Sequence, residues 1–192
     1  MKIIGITGKS GSGKSTFASL LAQKLNCPYV DIDKIGHGAT SDPEISKSLC
    51  KEFGQGILSE NGNIDRKKLG NIVFSDKSKM DILTHYTWIY MKKQLDDLVS
   101  NNTSEYIVFD WALLPICDYW AKCDFKILVS SNINLRKNAV LKRDNISSEY
   151  FDKREASSVD YSSVTFDYTF ENDYVFENLN NSVDEIKKKF FG

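Results

Sequence analysis

The amino-acid sequence predicts an α/β fold in which a five-stranded parallel sheet is flanked by helices. Four short apolar runs, the first at Lys2–Thr7, have the length of buried strands, and a weaker fifth run lies near the C-terminus. Segments with helical periodicity separate these runs, which is typical of a parallel sheet covered on both faces. With 192 residues, 41% of them hydrophobic, the chain can bury the core of a single domain.

The first helix is predicted after the glycine-rich segment that follows Lys2–Thr7. Apolar residues recur there at three- and four-residue steps from Phe17 to Leu25, and Asn26 and Pro28 end the pattern. The remaining strands are predicted at Tyr29–Ile32, Glu105–Phe109, Phe125–Val129 and Tyr168–Phe170.

Three further segments connect or close this sheet. Residues 34–102 are helical and highly charged, with a turn at 61–63. Residues 134–165 are polar and basic, and we expect them to form a mobile flap rather than part of the core. Val183, Ile186 and Phe190 lie at helical spacing, which predicts a closing surface helix.

Composition limits the class of protein. The chain has 25 Lys and Arg against 26 Asp and Glu, a net charge of -1, so its bulk charge favours neither nucleic acid nor an acidic membrane as a partner. It has no apolar run near the roughly 20 residues of a membrane helix and no signal-peptide pattern, and we expect a cytoplasmic monomer or small homo-oligomer. The cysteines form no CxxC pair and are expected to be reduced packing thiols: Cys27, Cys50, Cys117 and Cys123.

The stretch GKSGSGKST, residues 8–16, fits the phosphate-binding P-loop pattern between a strand and a helix. Glycines let several backbone N–H groups converge on an anion, and the helix that follows adds its dipole. Lys14 can reach the β and γ phosphates of a nucleoside triphosphate, and the Ser15 hydroxyl can bind Mg²⁺. The predicted nucleotide-binding residues are Gly8, Gly11, Ser12, Gly13, Lys14, Ser15 and Thr16, whereas Lys9 is interpreted as incidental.

Carboxylates are predicted at the same edge of the sheet. Asp31 and Asp33 end the second strand, where a two-residue period places both on one face. A carboxylate here can take the proton of an attacking hydroxyl or orient it, and a helix N-cap is the structural alternative. Asp110 ends the third strand and is placed to hold Mg²⁺ through water, with a simple strand-terminal turn as its alternative.

Phosphoryl transfer also needs positive charge over the triphosphate, and the basic segment 134–165 can supply it. Arg143 is the first choice for this cation and Arg136 the second. A solvated helix face is the alternative for each of them.

These motifs resemble the dephospho-coenzyme A kinase family over nearly the whole chain. The P-loop and the paired aspartates are part of the likeness, but the inserted segment is its specific part. It reads Phe53-Gly54, Ile57-Leu58, Asn61-Gly62, Ile64-Asp65-Arg66, Leu69 and Val73-Phe74-Ser75-Asp76. Later matches are Leu113-Leu114, Arg143-Asp144 and Asp167-Tyr168 with Asn172.

The resemblance implies one kinase domain, residues 1–192, of the nucleoside-monophosphate-kinase type. Residues 1–33, 103–133 and 166–192 would form the nucleotide-binding core, 34–102 the helical acceptor-binding region and 134–165 the lid. It implies transfer of the γ phosphate of ATP, with Mg²⁺, to the ribose 3′-hydroxyl of dephospho-CoA. Asp33 would act as base or orienting carboxylate, Lys14 would bind the phosphates, and Arg143 would be the lid cation.

The chain departs from the family pattern at several positions: His37, Tyr86, Ala112, Ile116, Ala139 and Ser158. Two other hypotheses therefore stand beside a dephospho-CoA kinase. The P-loop also resembles that of uridine kinases, which suggests a nucleoside or nucleotide kinase. A degenerate kinase that binds ATP as a regulator is the third.

Overall fold

The computed structural model describes residues 1–192 and confirms the five-stranded parallel sheet. Its strands are β1 (Lys2–Thr7), β2 (Tyr29–Asp31), β3 (Tyr106–Asp110), β4 (Phe125–Ser130) and β5 (Tyr168–Glu171). They lie in the order β2-β3-β1-β4-β5, and every neighbouring pair is parallel. Since β1 is the middle strand, the segment that follows it leaves the centre of the carboxyl edge, where open α/β sheets bind ligands.

Eight α-helices accompany the sheet. They are α1 (Lys14–Leu25), α2 (Ile32–Gly38), α3 (Pro43–Phe53), α4 (Arg66–Val73), α5 (Lys77–Asn101), α6 (Ile133–Asp144), α7 (Ser148–Ala156) and α8 (Phe176–Ile186). Short 3₁₀ turns lie at Ala39–Ser41, Gln55–Ile57, Leu114–Ile116 and Asp118–Lys122, and a π-helical turn at Lys187–Phe191. None of these helices combines the length and the apolar character that crossing a membrane requires.

The chain divides into two compact units, which we call the sheet unit (residues 1–31 and 102–192) and the helical unit (residues 32–101). In the sheet unit, alternate residues of the strands, such as Ile4 and Ile6, pack with Phe17 of α1 and Val183 of α8. On the other face a Cβ at Gly5 would lie 2.6 Å from the Cys123 sulfur, so this position needs a glycine for the close approach.

In the helical unit, Leu49, Ile57, Leu69 and Val73 form a core of their own. The predicted turn at 61–63 is confirmed, because Leu58 and Ile64 form an antiparallel bridge on its two sides. Further breaks at 39–42, 54–60 and 74–76 divide the region that the sequence showed as helical on both sides of that turn.

Two of these helices begin at capping aspartates. Asp42 accepts hydrogen bonds from the backbone N–H groups of Glu44 and Ile45, and Asp65 accepts those of Lys67 and Lys68. The aspartate of the Ile64-Asp65-Arg66 motif therefore has a structural task.

The predicted end of the second strand is wrong. The strand stops at Asp31, and Ile32 begins helix α2, so Asp33 lies in the first helical turn. Ile32 is fully buried, whereas Asp33 is exposed. The two aspartates therefore do not share a strand face, and Asp33 takes the position where the helix dipole favours a carboxylate.

Residues 134–165 contain most of α6 and all of α7, and most of them are exposed. Arg136, Val140 and Phe151 of these helices are buried. The basic composition of the segment hid these contacts, because the buried side chains are few and one of them is an arginine.

Candidate active site

The P-loop, residues 8–16, joins β1 to α1 at the carboxyl edge of the sheet. Gly13 precedes the helix with φ 87°, a left-handed conformation that L-residues with a Cβ rarely adopt. No side chain caps this helix end, so its first N–H groups remain available to an anion. The local geometry is that of a phosphate-binding loop.

Three side chains donate hydrogen bonds to consecutive carbonyl groups of the loop. Arg136 Nη1 donates to the Ser10 carbonyl at 3.2 Å, and Asn172 Nδ2 donates to the Ser12 carbonyl at 2.9 Å. The Tyr174 hydroxyl donates to the carbonyl of Gly11, which lies between them. In a trans peptide the N–H of the next residue points away from the carbonyl. The contacts at the Ser10 and Ser12 carbonyls therefore direct the N–H groups of Gly11 and Gly13 away from the side chains that hold those carbonyls.

The side chains of Lys14, Ser15 and Asp110 converge beside the loop. Lys14 Nζ lies 2.9 Å from Asp110 Oδ1 and 3.5 Å from Ser15 Oγ. Asp110 is completely buried, and Tyr29 donates its hydroxyl to Asp110 Oδ2 at 2.9 Å. The structure thus brings together the residues that the sequence assigned to the phosphates and to magnesium, and it adds Tyr29, which sequence reasoning had placed only as a strand residue.

Lys9 is not incidental, because it joins the loop to helix α7. Its Nζ lies 2.8 Å from Glu155 Oε1 on α7. Arg136 of α6 donates to both oxygens of the same carboxylate, at 2.9 and 3.0 Å. Hydrogen bonds hold the pKa of Glu155 below its usual range despite its partial burial. The bonds from Arg136 lower this pKa most, and the bond from Lys9 lowers it further.

The two arginines predicted as cations, both on α6, have different environments. Arg136 is only 5% exposed, and its guanidinium donates to Glu155 and to the loop backbone, so it is not a solvated residue. Arg143 is exposed, pairs with Asp144 at 2.7 Å and lies 3.5 Å from the Ser10 hydroxyl. Of the two predicted cations, Arg143 is the one with a solvent-exposed guanidinium next to the loop.

Two cavities of the sheet unit adjoin the P-loop. One, of about 150 Å³, is lined by Gly13, Thr16 and Asn172, and by the apolar side chains of 174–176 and Leu179. The other, of about 170 Å³, lies among Lys9, the segment after β3 and helix α7. Tyr161 anchors that segment by donating to the Ala112 carbonyl at 2.7 Å.

Comparison with known proteins identifies the relatives of this chain. The dephospho-CoA kinase family model matches residues 2–184. A dephospho-CoA kinase of Fusobacterium nucleatum is 34% identical over 186 residues, which is 97% of this chain and 94% of that protein. The chain belongs to the dephospho-CoA kinase family. It is therefore a phosphotransferase, and ATP is its phosphate donor.

Solved structures show the same fold. TT1252 from Thermus thermophilus matches with a TM-score of 0.83 and 24% identity, covering 100% of this chain and 98% of its own. Dephospho-CoA kinase from Campylobacter jejuni matches with a TM-score of 0.63 and 22% identity, covering 97% and 96%.

The positions at which this dephospho-CoA kinase family member departs from the family pattern have different surroundings. The Ala112 carbonyl accepts from Tyr161, and the Ser158 hydroxyl donates to the Glu155 carbonyl at 2.7 Å. Ala139 lies on α6 one turn beyond Arg136. The His37 carbonyl accepts a hydrogen bond from Arg66, and Ile116 is exposed.

Proposed function

We propose that this chain transfers the γ phosphate of ATP to the ribose 3′-hydroxyl of dephospho-CoA, giving coenzyme A and ADP. The observation that supports it most directly is the convergence of Lys14, Ser15 and Asp110 beside an uncapped helix N-terminus. This arrangement supplies the charge and the oxygen ligands that bound ATP needs. Membership in the dephospho-CoA kinase family supports the acceptor.

The residues of the loop fit a magnesium ion. Mg²⁺ prefers oxygen ligands and is usually held by one or two protein groups together with substrate phosphates. Ser15 Oγ and Asp110 Oδ1 both lie within reach of one cationic group, the Lys14 ammonium, so the two oxygens are already directed at a common positive charge. Bound there, Mg²⁺ would neutralise charge on the β and γ phosphates. Ser15 would hold it directly and Asp110 through water.

The cavity beside Asn172 suits the base of ATP. It adjoins Gly13 and Thr16 and has an apolar lining that includes Phe176, whose side chain is 65% exposed. An aromatic side chain exposed next to a phosphate loop offers a flat surface for a purine. The P-loop would hold the phosphates, and Arg143 would approach them as the lid cation.

Asp33 is proposed as the group that takes the proton of the 3′-hydroxyl. It follows Asp31, the last residue of β2, by two positions, so its Cα lies within about 7 Å of the Asp31 Cα. In the reaction the 3′-oxygen forms a bond to the γ phosphorus, the bond to the β–γ bridging oxygen breaks, and the hydroxyl proton passes to the carboxylate. Residues 34–102 are proposed to bind the rest of the acceptor.

The acceptor is tested with purified protein, MgATP and a panel of dephospho-CoA, uridine and nucleoside monophosphates, with ADP release as the signal. We expect release with dephospho-CoA. Background rates with dephospho-CoA would refute the proposed acceptor, and release with uridine would favour the nucleoside kinase.

The proposed base is tested with Asp33→Asn. We expect turnover to fall about 100-fold or more, because the amide cannot take the proton, while ATP binding is unchanged. Asp184→Asn, the same change at an exposed carboxylate on α8, outside the proposed acceptor-binding region, serves as the control and should leave turnover unaltered. Unchanged turnover in Asp33→Asn would remove this residue from the mechanism.

A further inference from the structure

Tyr29 lies on the short strand β2 and contacts the candidate metal site from the side of the sheet. Its strand pairs with β3 in a register that sets Tyr29 against Val108 and Asp31 against Asp110. The phenol reaches along this pair of strands, and its hydroxyl donates to Asp110 Oδ2 at 2.9 Å. The contact joins two residues that are 81 positions apart in the sequence.

The other carboxylate oxygen, Asp110 Oδ1, lies 2.9 Å from Lys14 Nζ, which in turn lies 3.5 Å from Ser15 Oγ. Tyr29 therefore contacts one of the two side chains that are proposed to serve magnesium, and Lys14 links that side chain to the other.

The Asp110 carboxylate has two oxygens, and both are buried with the rest of its side chain. Oδ1 faces Lys14, while Oδ2 has the Tyr29 hydroxyl as its donor. A buried carboxylate oxygen without a donor is costly, and a carboxylate with one oxygen held cannot rotate freely about its Cβ–Cγ bond. The Tyr29 hydrogen bond thus fixes the direction in which Oδ1 points.

Burial raises the pKa of Tyr29, and the negative charge of Asp110 raises it further. The direction of this shift agrees with the geometry, in which the phenol donates to Asp110.

We propose that Tyr29 is a positioning residue that aims Asp110 Oδ1 at the magnesium of bound MgATP. The inference rests on the proposed magnesium role of Asp110. Tyr29 itself touches neither the metal nor the substrate. Its removal should weaken the use of magnesium while the P-loop and its contacts with the phosphates stay in place.

The test is Tyr29→Phe, which removes one oxygen atom and leaves the ring to fill its place. The matched control is Tyr168→Phe on β5, which removes a tyrosine hydroxyl bonded to Ser182 at 2.9 Å. Binding of a non-hydrolysable ATP analogue is measured by calorimetry over a series of Mg²⁺ concentrations and in EDTA, and the unfolding of each variant is followed in urea.

In Tyr29→Phe we expect the Mg²⁺ concentration for half-maximal analogue binding to rise about tenfold, as loss of a hydrogen bond to a charged group implies. Analogue affinity in EDTA should change less than about twofold, and Tyr168→Phe should match the wild type in both measurements. An equal loss of affinity with and without Mg²⁺ would show a merely structural role and overturn the inference. So would an unchanged Mg²⁺ dependence, or a wild type whose analogue binding does not respond to Mg²⁺.

Because the binding measurement contains no acceptor, its outcome is separable from that of the proposed reaction. A wild type that fails to phosphorylate dephospho-CoA while Tyr29→Phe still shifts the Mg²⁺ dependence would refute the acceptor and support the role of Tyr29. Normal turnover of dephospho-CoA by the wild type, with an unchanged Mg²⁺ dependence in Tyr29→Phe, would support the acceptor and refute the role of Tyr29.

Discussion

Glu155 is the residue whose substitution tests the link between the P-loop and helices α6 and α7. In Glu155→Gln the carboxylate that pairs with both Lys9 and Arg136 becomes neutral. Arg136 is 5% exposed, so its guanidinium would remain buried without a counter-charge. Breaking a buried ion pair from one side costs about 3–5 kcal/mol, and the amide oxygen can still accept one hydrogen bond worth about 1 kcal/mol. We therefore expect the free energy of unfolding to fall by about 2–4 kcal/mol.

The matched control is Asp152→Asn on the same helix. Asp152 also pairs with a residue of α6, since Lys137 Nζ lies 2.7 Å from its Oδ1, but the Asp152 side chain is 59% exposed. An exposed pair is worth about 0–1 kcal/mol, so this variant should be nearly neutral. The two variants differ chiefly in the burial of the broken pair.

Urea unfolding followed by circular dichroism measures both changes. With a slope of about 2 kcal/mol per molar urea, the midpoint of Glu155→Gln should fall by about 1–2 M. Equal and small shifts in the two variants would refute the buried pair as a stabilising contact.

The pH dependence gives a second check on Glu155. Arg136 lowers the pKa of this carboxyl in the folded state, so its contribution to stability is complete above the ordinary glutamate pKa of about 4.3. The contribution disappears as the pH falls through the lowered folded pKa. The difference between wild type and Glu155→Gln should therefore shrink below about pH 4, and a difference that stays constant there would contradict the lowered pKa.

Two further predictions follow from local geometry. Gly13→Ala should reduce ATP affinity, measured by calorimetry, by about tenfold or more, because φ is 87° and an added Cβ would collide with Asn172 Nδ2. The control is Gly56→Ala, which should bind ATP normally because no atom lies within 4 Å of the added Cβ. Cys123 should react with iodoacetamide at pH 8 far more slowly in the folded than in the urea-unfolded protein, because burial raises its pKa to about 12. Mass spectrometry of the alkylated peptides measures both rates, and equal rates would contradict the burial.

Local patterns in the sequence were sufficient for much of the fold. The apolar runs fell within or next to all five strands, because buried parallel strands need continuous apolar residues. The P-loop followed from residue types and spacing, since its glycines and helix start act within nine consecutive residues. The turn at 61–63 was equally local.

Prediction failed where two local signals competed. At Asp31-Ile32-Asp33 the alternation of a strand and the start of a helix are both compatible with the residues, and helix α2 begins at Ile32, within the expected strand. In 134–165 the basic composition suggested a solvated surface, although Arg136 is buried. Charge in the sequence does not show whether a counter-charge is folded against it.

The sequence by itself determined the phosphate loop, the strands and the resemblance to one kinase family, because each depends on residues close together in the chain. Only the tertiary structure showed that Lys9 and Arg136 share Glu155, and that Tyr29 donates to Asp110. These partners are separated by 19 to 146 positions. Strand order and helix packing decide which of these residues come into contact. Burial then decides which contacts contribute to stability and to the orientation of the side chains in the site.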